Sequence, residues 1–175
     1  MADDKPQVRR ILEGQFVQMG FKKVGPIWER QREEVRQFLQ IQRSRFAPWY
    51  FVNVGIVLRE AEPGLKVRSV SECHLDVRAG QLAPPDVLTR FGKALSEEET
   101  ILDTERERVI KTVLEEYVEP FLSRYGAREP ILALARTPRP ERPNPSVMVW
   151  WPMLKYAGVQ DRKPGDPDFD SRWVP

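Results

Sequence analysis

Leu39-Gln-Ile-Gln-Arg-Ser-Arg45 and Tyr50-Phe-Val-Asn-Val-Gly-Ile-Val-Leu58 alternate in side-chain character residue by residue. Side chains on a strand point to opposite faces with a period of two. Leu39, Ile41, Val52, Val54 and Ile56 therefore fall on one face, and Gln40, Gln42 and Asn53 on the other. The first face has to be buried. The second carries amides among aromatics, and function is sought there.

Working outward, residues 6–19 place Val8, Ile11, Leu12, Phe16 and Met19 at helical spacing, with Gly20 as the stop. A short strand is expected over 25–31, with Ile27 and Trp28 on opposite faces. Further strands are expected over 35–44, 49–59 and, past the turn Glu62-Pro-Gly64, about 66–78, the last either continuous or interrupted. Four strands joined by short turns imply an antiparallel meander. Helices return after Pro84-Pro85. One runs from Asp86 to Leu95; Ser96 with Glu99 matches a capping box; a long one, capped by Asp103 or Thr104, runs to about Tyr125, with Gly126 as a stop and bent or shortened by Pro120. The expected architecture is α+β, an antiparallel sheet of about four strands with helices packed on one face.

Residues 1–136 read as a single domain and 137–175 as a Pro-rich C-terminal extension, docked in part. Thr137 to Pro145 holds four prolines in nine residues and reads as an extended polyproline II connector. Val147-Met-Val-Trp-Trp151 is too apolar to be left in water and is expected to dock on the domain or on a partner. Phe169 and Trp173 are candidate anchors for the end of the tail.

The chain has 175 residues, enough for a substantial core. Its formal net charge of +2 argues against a dedicated nucleic-acid binder. No apolar run is long enough to span a membrane and no signal-peptide layout opens the sequence. The one cysteine, Cys73, forbids an internal disulfide and suits a reducing, cytoplasmic setting.

Alternation over 73–78 sets Cys73, Leu75 and Val77 against His74, Asp76 and Arg78. If the helices cover the Val52, Val54, Ile56, Cys73, Leu75 face, the other collects Gln40, Gln42, Asn53, His74, Asp76 and Arg78. Trp28, Phe38, Trp49 and Phe51 border it. Amides read amides or base edges, Arg binds carboxylates or phosphates through two nitrogens, and aromatics supply stacking area. Such a face is often just the wetter side of an antiparallel sheet, or the seat of a folded-back tail.

No complete catalytic motif is present. Cys73 and His74 are adjacent on a strand and point apart, so they make no dyad, and Cys73 reads as core. One His and one Cys do not make a structural zinc site, no Gly-rich phosphate loop exists, and no cofactor is expected. Arg43 and Arg45 flank an exposed strand end as candidates for an acidic partner.

Gly20-Phe-Lys-Lys23 with Trp28, then the two alternating strands, then Cys73-His74 with Arg78, resemble the bacterial family catalogued as domain of unknown function 4304. The resemblance covers about Leu12 to Phe121 and implies a small α+β domain without bringing an activity, cofactor or catalytic residue. Small families of this habit supply toxin-neutralising immunity proteins, which makes that role an analogy.

The function expected is a non-enzymatic binding module for a protein partner, with Gln40, Gln42, Asn53, His74, Asp76, Arg78, Trp49 and Phe51 as contact residues. The alternative is an enzyme processing a small molecule or nucleotide, with His74 as general base oriented by Asp76. RNA binding through sheet aromatics is a weaker third reading. Pairing of an exposed strand edge would make a homodimer.

Overall fold

The computed structural model describes residues 6–160, 164–168, 170 and 172. Phe169 and Trp173, the candidate tail anchors, lie outside the described residues. Helix α1 spans Gln7–Gln18 and buries Val8, Leu12, Gln15 and Phe16. It ends in a Schellman turn: Gly20 (φ +84°) donates to Val17 O at 2.9 Å, and Phe21 to Phe16 O at 3.0 Å.

The sheet contains six strands in sequence order, all pairs antiparallel: β1 Lys22–Val24, β2 Ile27–Gln31, β3 Val35–Arg43, β4 Tyr50–Leu58, β5 Leu75–Arg78 and β6 Met148–Val149. The expected count of about four is thus too low by two. β1 is a three-residue, fully exposed edge, too short and too Lys-rich to show alternation. β6 comes from the Val147–Trp151 segment, which docks against β5 with Leu75 opposite Val149. The strand expected over 66–78 is real only in its last four residues. Before it, Val70–Glu72 makes a 3₁₀ turn capped by Ser69 and Glu72.

Helices cover one sheet face, as the alternation requires. Helix α2 spans Pro85–Ala94, α3 Asp103–Val113, α4 Glu119–Arg124, α5 Arg128–Ala135 and α6 Trp151–Tyr156. Their Phe91, Ile110, Leu122, Ile131 and Met153 join Leu39, Val54, Ile56 and Leu75 of the sheet in one buried cluster. Between α3 and α4 the chain makes a π turn, Leu114–Val118. Pro120 has no N–H and crowds the carbonyl one turn back, so the helical ladder changes register there rather than breaking. The capping box expected at Ser96 and Glu99 does not form a helix start. Instead Ser96 bridges to Trp49, its Oγ accepts from Glu98 N at 3.2 Å, and α3 begins at Asp103.

Of the buried polar residues, Arg30 and Gln37 sit on the helix-covered side of the sheet. Gln37 is paired with Ile56 and Arg30, on the helix-covered face. Arg30 Nε donates to Gln37 Oε1 at 2.8 Å, Arg30 Nη1 to Met19 O at 2.8 Å, and Arg30 Nη2 to both Glu119 oxygens at 3.0 Å; Gln37 Nε2 donates to Leu122 O at 2.7 Å. The set ties sheet, α1 and α4 together and leaves no buried member of it unpaired. Trp28 also lies on the covered face, edge-on to Phe16 with centroids 5.8 Å apart, and does not border the polar face.

The Pro-rich stretch is not extended throughout. Arg139–Glu141 forms a 3₁₀ turn, and buried Arg142 closes the loop by donating to Thr137 O at 3.1 Å and Val147 O at 3.2 Å. Burial lowers the Arg142 pKa to about 10, still charged at neutral pH. These bonds seat Val147 and Val149 in the main core.

Candidate ligand-binding cleft

The second sheet face is divided in two. Toward β2, Ile27, Phe38 and Val57 are roofed by Leu65, Val67, Val70 and Cys73, making a second small core. Cys73 packs over Gly55, where an added Cβ would meet its Sγ at 2.5 Å. Cys73 therefore lies on the face opposite the one expected. The reason is local: β5 starts only at Leu75, so strand alternation does not extend back through the 3₁₀ turn. Burial pushes the Cys73 thiol pKa well up, which keeps it protonated and inert.

His74 is displaced by the same break. It is 1% exposed and its Nδ1 accepts the Leu58 N–H at 3.1 Å, where a longer β5 would have continued the ladder past the Ile56–Leu75 pair. Its Nε2 lies 3.3 Å from Glu62 Oε2. Burial lowers its pKa, partly opposed by Glu62. His74 is thus apart from the polar cluster, and no bond joins it to Asp76. Asp76 Oδ2 instead accepts from the Trp150 indole at 2.7 Å. Burial raises the Asp76 pKa while that bond lowers it.

Among the described residues the other half of the face is left uncovered. Gln40, Gln42, Asn53, Asp76 and Arg78 line one cleft of ≈ 580 Å³. The strand register makes the grouping: Gln40 faces Asn53, which in turn faces Arg78, and Asp76 faces Gly55. One wall is the 3₁₀ turn with Ser69 and Ser71. The other is the C-terminal segment with Arg139, Ser146 and Met148. Asn53 Nδ2 donates to Gln42 Oε1 at 2.9 Å, and Gln40 Oε1 accepts from Ser69 Oγ at 3.3 Å and Val70 N at 3.2 Å. Those bonds fix the amide oxygens of Gln40 and Gln42, so both NH₂ groups are available to a ligand.

Arg78 lies over the Phe51 ring, 4.4 Å from its centroid. Among the described residues neither Arg78 nor Arg139 has a carboxylate partner within salt-bridge distance. Trp49 and Phe51 do not line the cleft. They line an adjoining apolar groove of ≈ 260 Å³ with Leu88, Phe91 and Leu95, and Arg78 and Gln81 border both. Of the exposed strand-end arginines, Arg43 is engaged with Glu97 at 3.3 Å.

The polar cleft residues missed in the sequence are Ser69, Ser71, Gln81, Arg139 and Ser146. The Ser69–Glu72 capping pair was the one available signal for the first two. Nothing local marks Arg139 or Ser146, which arrive through the docking of β6. Among the described residues no group of three or more His, Cys, Asp or Glu side chains is placed to hold a metal ion. No described helix is long and apolar enough to cross a membrane.

Fold and site together define a small α+β domain: a meander sheet buried by helices on one side and carrying a polar cleft on the other. The chain belongs to the family described as Domain of unknown function (DUF4304), whose model matches residues 13–124. Comparison with curated proteins and with solved structures found no match. The matched span contains the cleft floor and its Ser69–Ser71 wall, while the Arg139–Met148 wall lies beyond it.

Proposed function

We propose that the protein is a binding module that engages a protein partner through the cleft on its second sheet face. The observation that carries this is the set of unused hydrogen-bonding groups gathered there. The NH₂ groups of Gln40 and Gln42 and the Arg78 guanidinium have no partner among the described residues. They nevertheless sit on strands or against a ring that hold them in place. Donors held in advance reduce the ordering cost of association. Neutralisation of a toxin is the setting the proposal favours. Catalysis by His74 oriented by Asp76 has no geometric support, because each is bonded elsewhere.

Site-specific photo-crosslinking tests the proposal. A benzophenone amino acid is placed at Ser71 or Gln81 on the cleft rim, and at Val17, 60% exposed on α1, as control. A protein captured from the rim positions, absent from Val17 and lost in Arg78→Met, supports cleft binding. Equal capture from all positions, or none from the rim, refutes it.

A further inference from the structure

The cleft and the apolar groove meet at Arg78 and Gln81, and this junction specifies what the partner must present. Resting on the binding role just proposed, we infer that the partner inserts an extended segment carrying a carboxylate side chain for Arg78 and Arg139 and a neighbouring apolar side chain for the groove.

Charge complementarity carries the first half. Among the described residues two arginines and one aspartate line the cleft, a net of one positive charge, and Asp76 is already bonded to Trp150. The Arg78 guanidinium lies over the Phe51 ring, and among the described residues no carboxylate competes for its five donors. A carboxylate that reaches it accepts two parallel N–H bonds, with the amides of Gln40 and Gln42 beside it.

Shape carries the second half. The groove, ≈ 260 Å³, is walled by Trp49, Phe51, Leu88, Phe91 and Leu95. Cavities that enclose a whole drug-sized ligand run from about 300 to 1,000 Å³, so this one suits a single side chain of a longer ligand. Trp49 and Leu88 are 48% and 42% exposed, apolar surface that such a side chain would cover. Alternate residues of an extended peptide lie about 7 Å apart on the same side, the natural way to reach across the Arg78 ridge.

The test uses the purified full chain against an array of acetylated heptapeptides on a Ser/Gly background. Each peptide carries one Asp or Glu and one Leu or Phe, separated by none, one or two residues. Matched peptides replace the acid by Gln or the apolar residue by Ser. The expected result is binding that weakens about tenfold when either feature is removed. Arg78→Met should abolish the preference for the acid, and Leu88→Gln the preference for the apolar residue, with melting temperatures unchanged. Binding indifferent to the acid, or a silent array while rim crosslinking still captures a protein, overturns this inference and leaves the cleft-binding proposal standing. A silent array with no rim crosslink overturns both.

Discussion

Gly55→Ala would test how the cleft is built. Gly55 sits in the middle of β4, opposite Phe38 and Asp76, and its missing side chain is the space Cys73 and Val70 fill. A Cβ there would lie 2.5 Å from Cys73 Sγ and 3.0 Å from both Cys73 Cβ and Val70 Cγ1, against 3.4–4 Å for ordinary contact. The 3₁₀ turn must retreat by about 1 Å, and overpacking of that kind costs about 1–3 kcal/mol. Replacing glycine in a strand interior returns about 0.5–1 kcal/mol of backbone entropy. The net expectation is a loss of about 1–2 kcal/mol, or a fall in Tm of about 2–8 °C for a chain of this size. Because Ser69 and Ser71 ride on the same turn, partner capture from Ser71 should weaken as well. Urea denaturation of Gly55→Ala, Cys73→Ala and the double variant provides the assay. Removing the Cys73 sulfur relieves the closest contact, so the double variant should be more stable than the sum of the single effects predicts, by about 0.5–1.5 kcal/mol. Strict additivity, or a Gly55→Ala protein as stable as wild type, would refute the account of Cys73 roofing this face.

Other predictions rest on single buried groups. His74 is less basic folded than unfolded, so the unfolded chain binds more protons and stability should fall as pH drops below about 6.5; His74→Asn, which keeps an acceptor for Leu58 N–H, should flatten the pH 5–7 denaturation profile, and an unchanged slope would sink the assignment. Arg106 Nη1 donates to Ala94 O at 2.5 Å and Ser96 O at 2.7 Å, and Nη2 to Glu99 O at 3.0 Å. Arg106→Ala strands those carbonyls and should cost about 2–4 kcal/mol by chemical denaturation, with a cost under about 0.5 kcal/mol counting against it. Trp150→Phe removes the indole N–H that favours the Asp76 carboxylate, so the Asp76 pKa, followed by NMR, should rise further above its ordinary value; a fall would contradict the bond.

The two alternating runs were legible because period-2 patterning is a property of neighbours in sequence. Leu39, Ile41, Val52, Val54 and Ile56 face the helices, and Gln40, Gln42 and Asn53 the other side, as read. Pairing of Asp76 and Arg78 with that face followed from the same rule, since β5 is regular from Leu75 onward. The rule failed where the backbone stops being a strand. One 3₁₀ turn sent Cys73 to the opposite face and His74 into the end of the ladder, and no residue type announces such a turn firmly enough to override alternation. Helix α5 was likewise unmarked, lying between the end of α4 at Arg124 and the Pro-rich stretch.

What the sequence determined by itself was the class of fold, the antiparallel meander of its four longer strands, and the amide-bearing face, because all three depend on local periodicity and short connections. What only the tertiary structure decided was which half of that face the described residues leave uncovered. The loop from Arg59 to His74 roofs one half, because Gly55 leaves room for it, and the C-terminal segment walls the other, because Val147 and Val149 have a core to enter. Both choices join residues distant along the chain through burial of apolar area, a quantity that exists only once the surfaces have met.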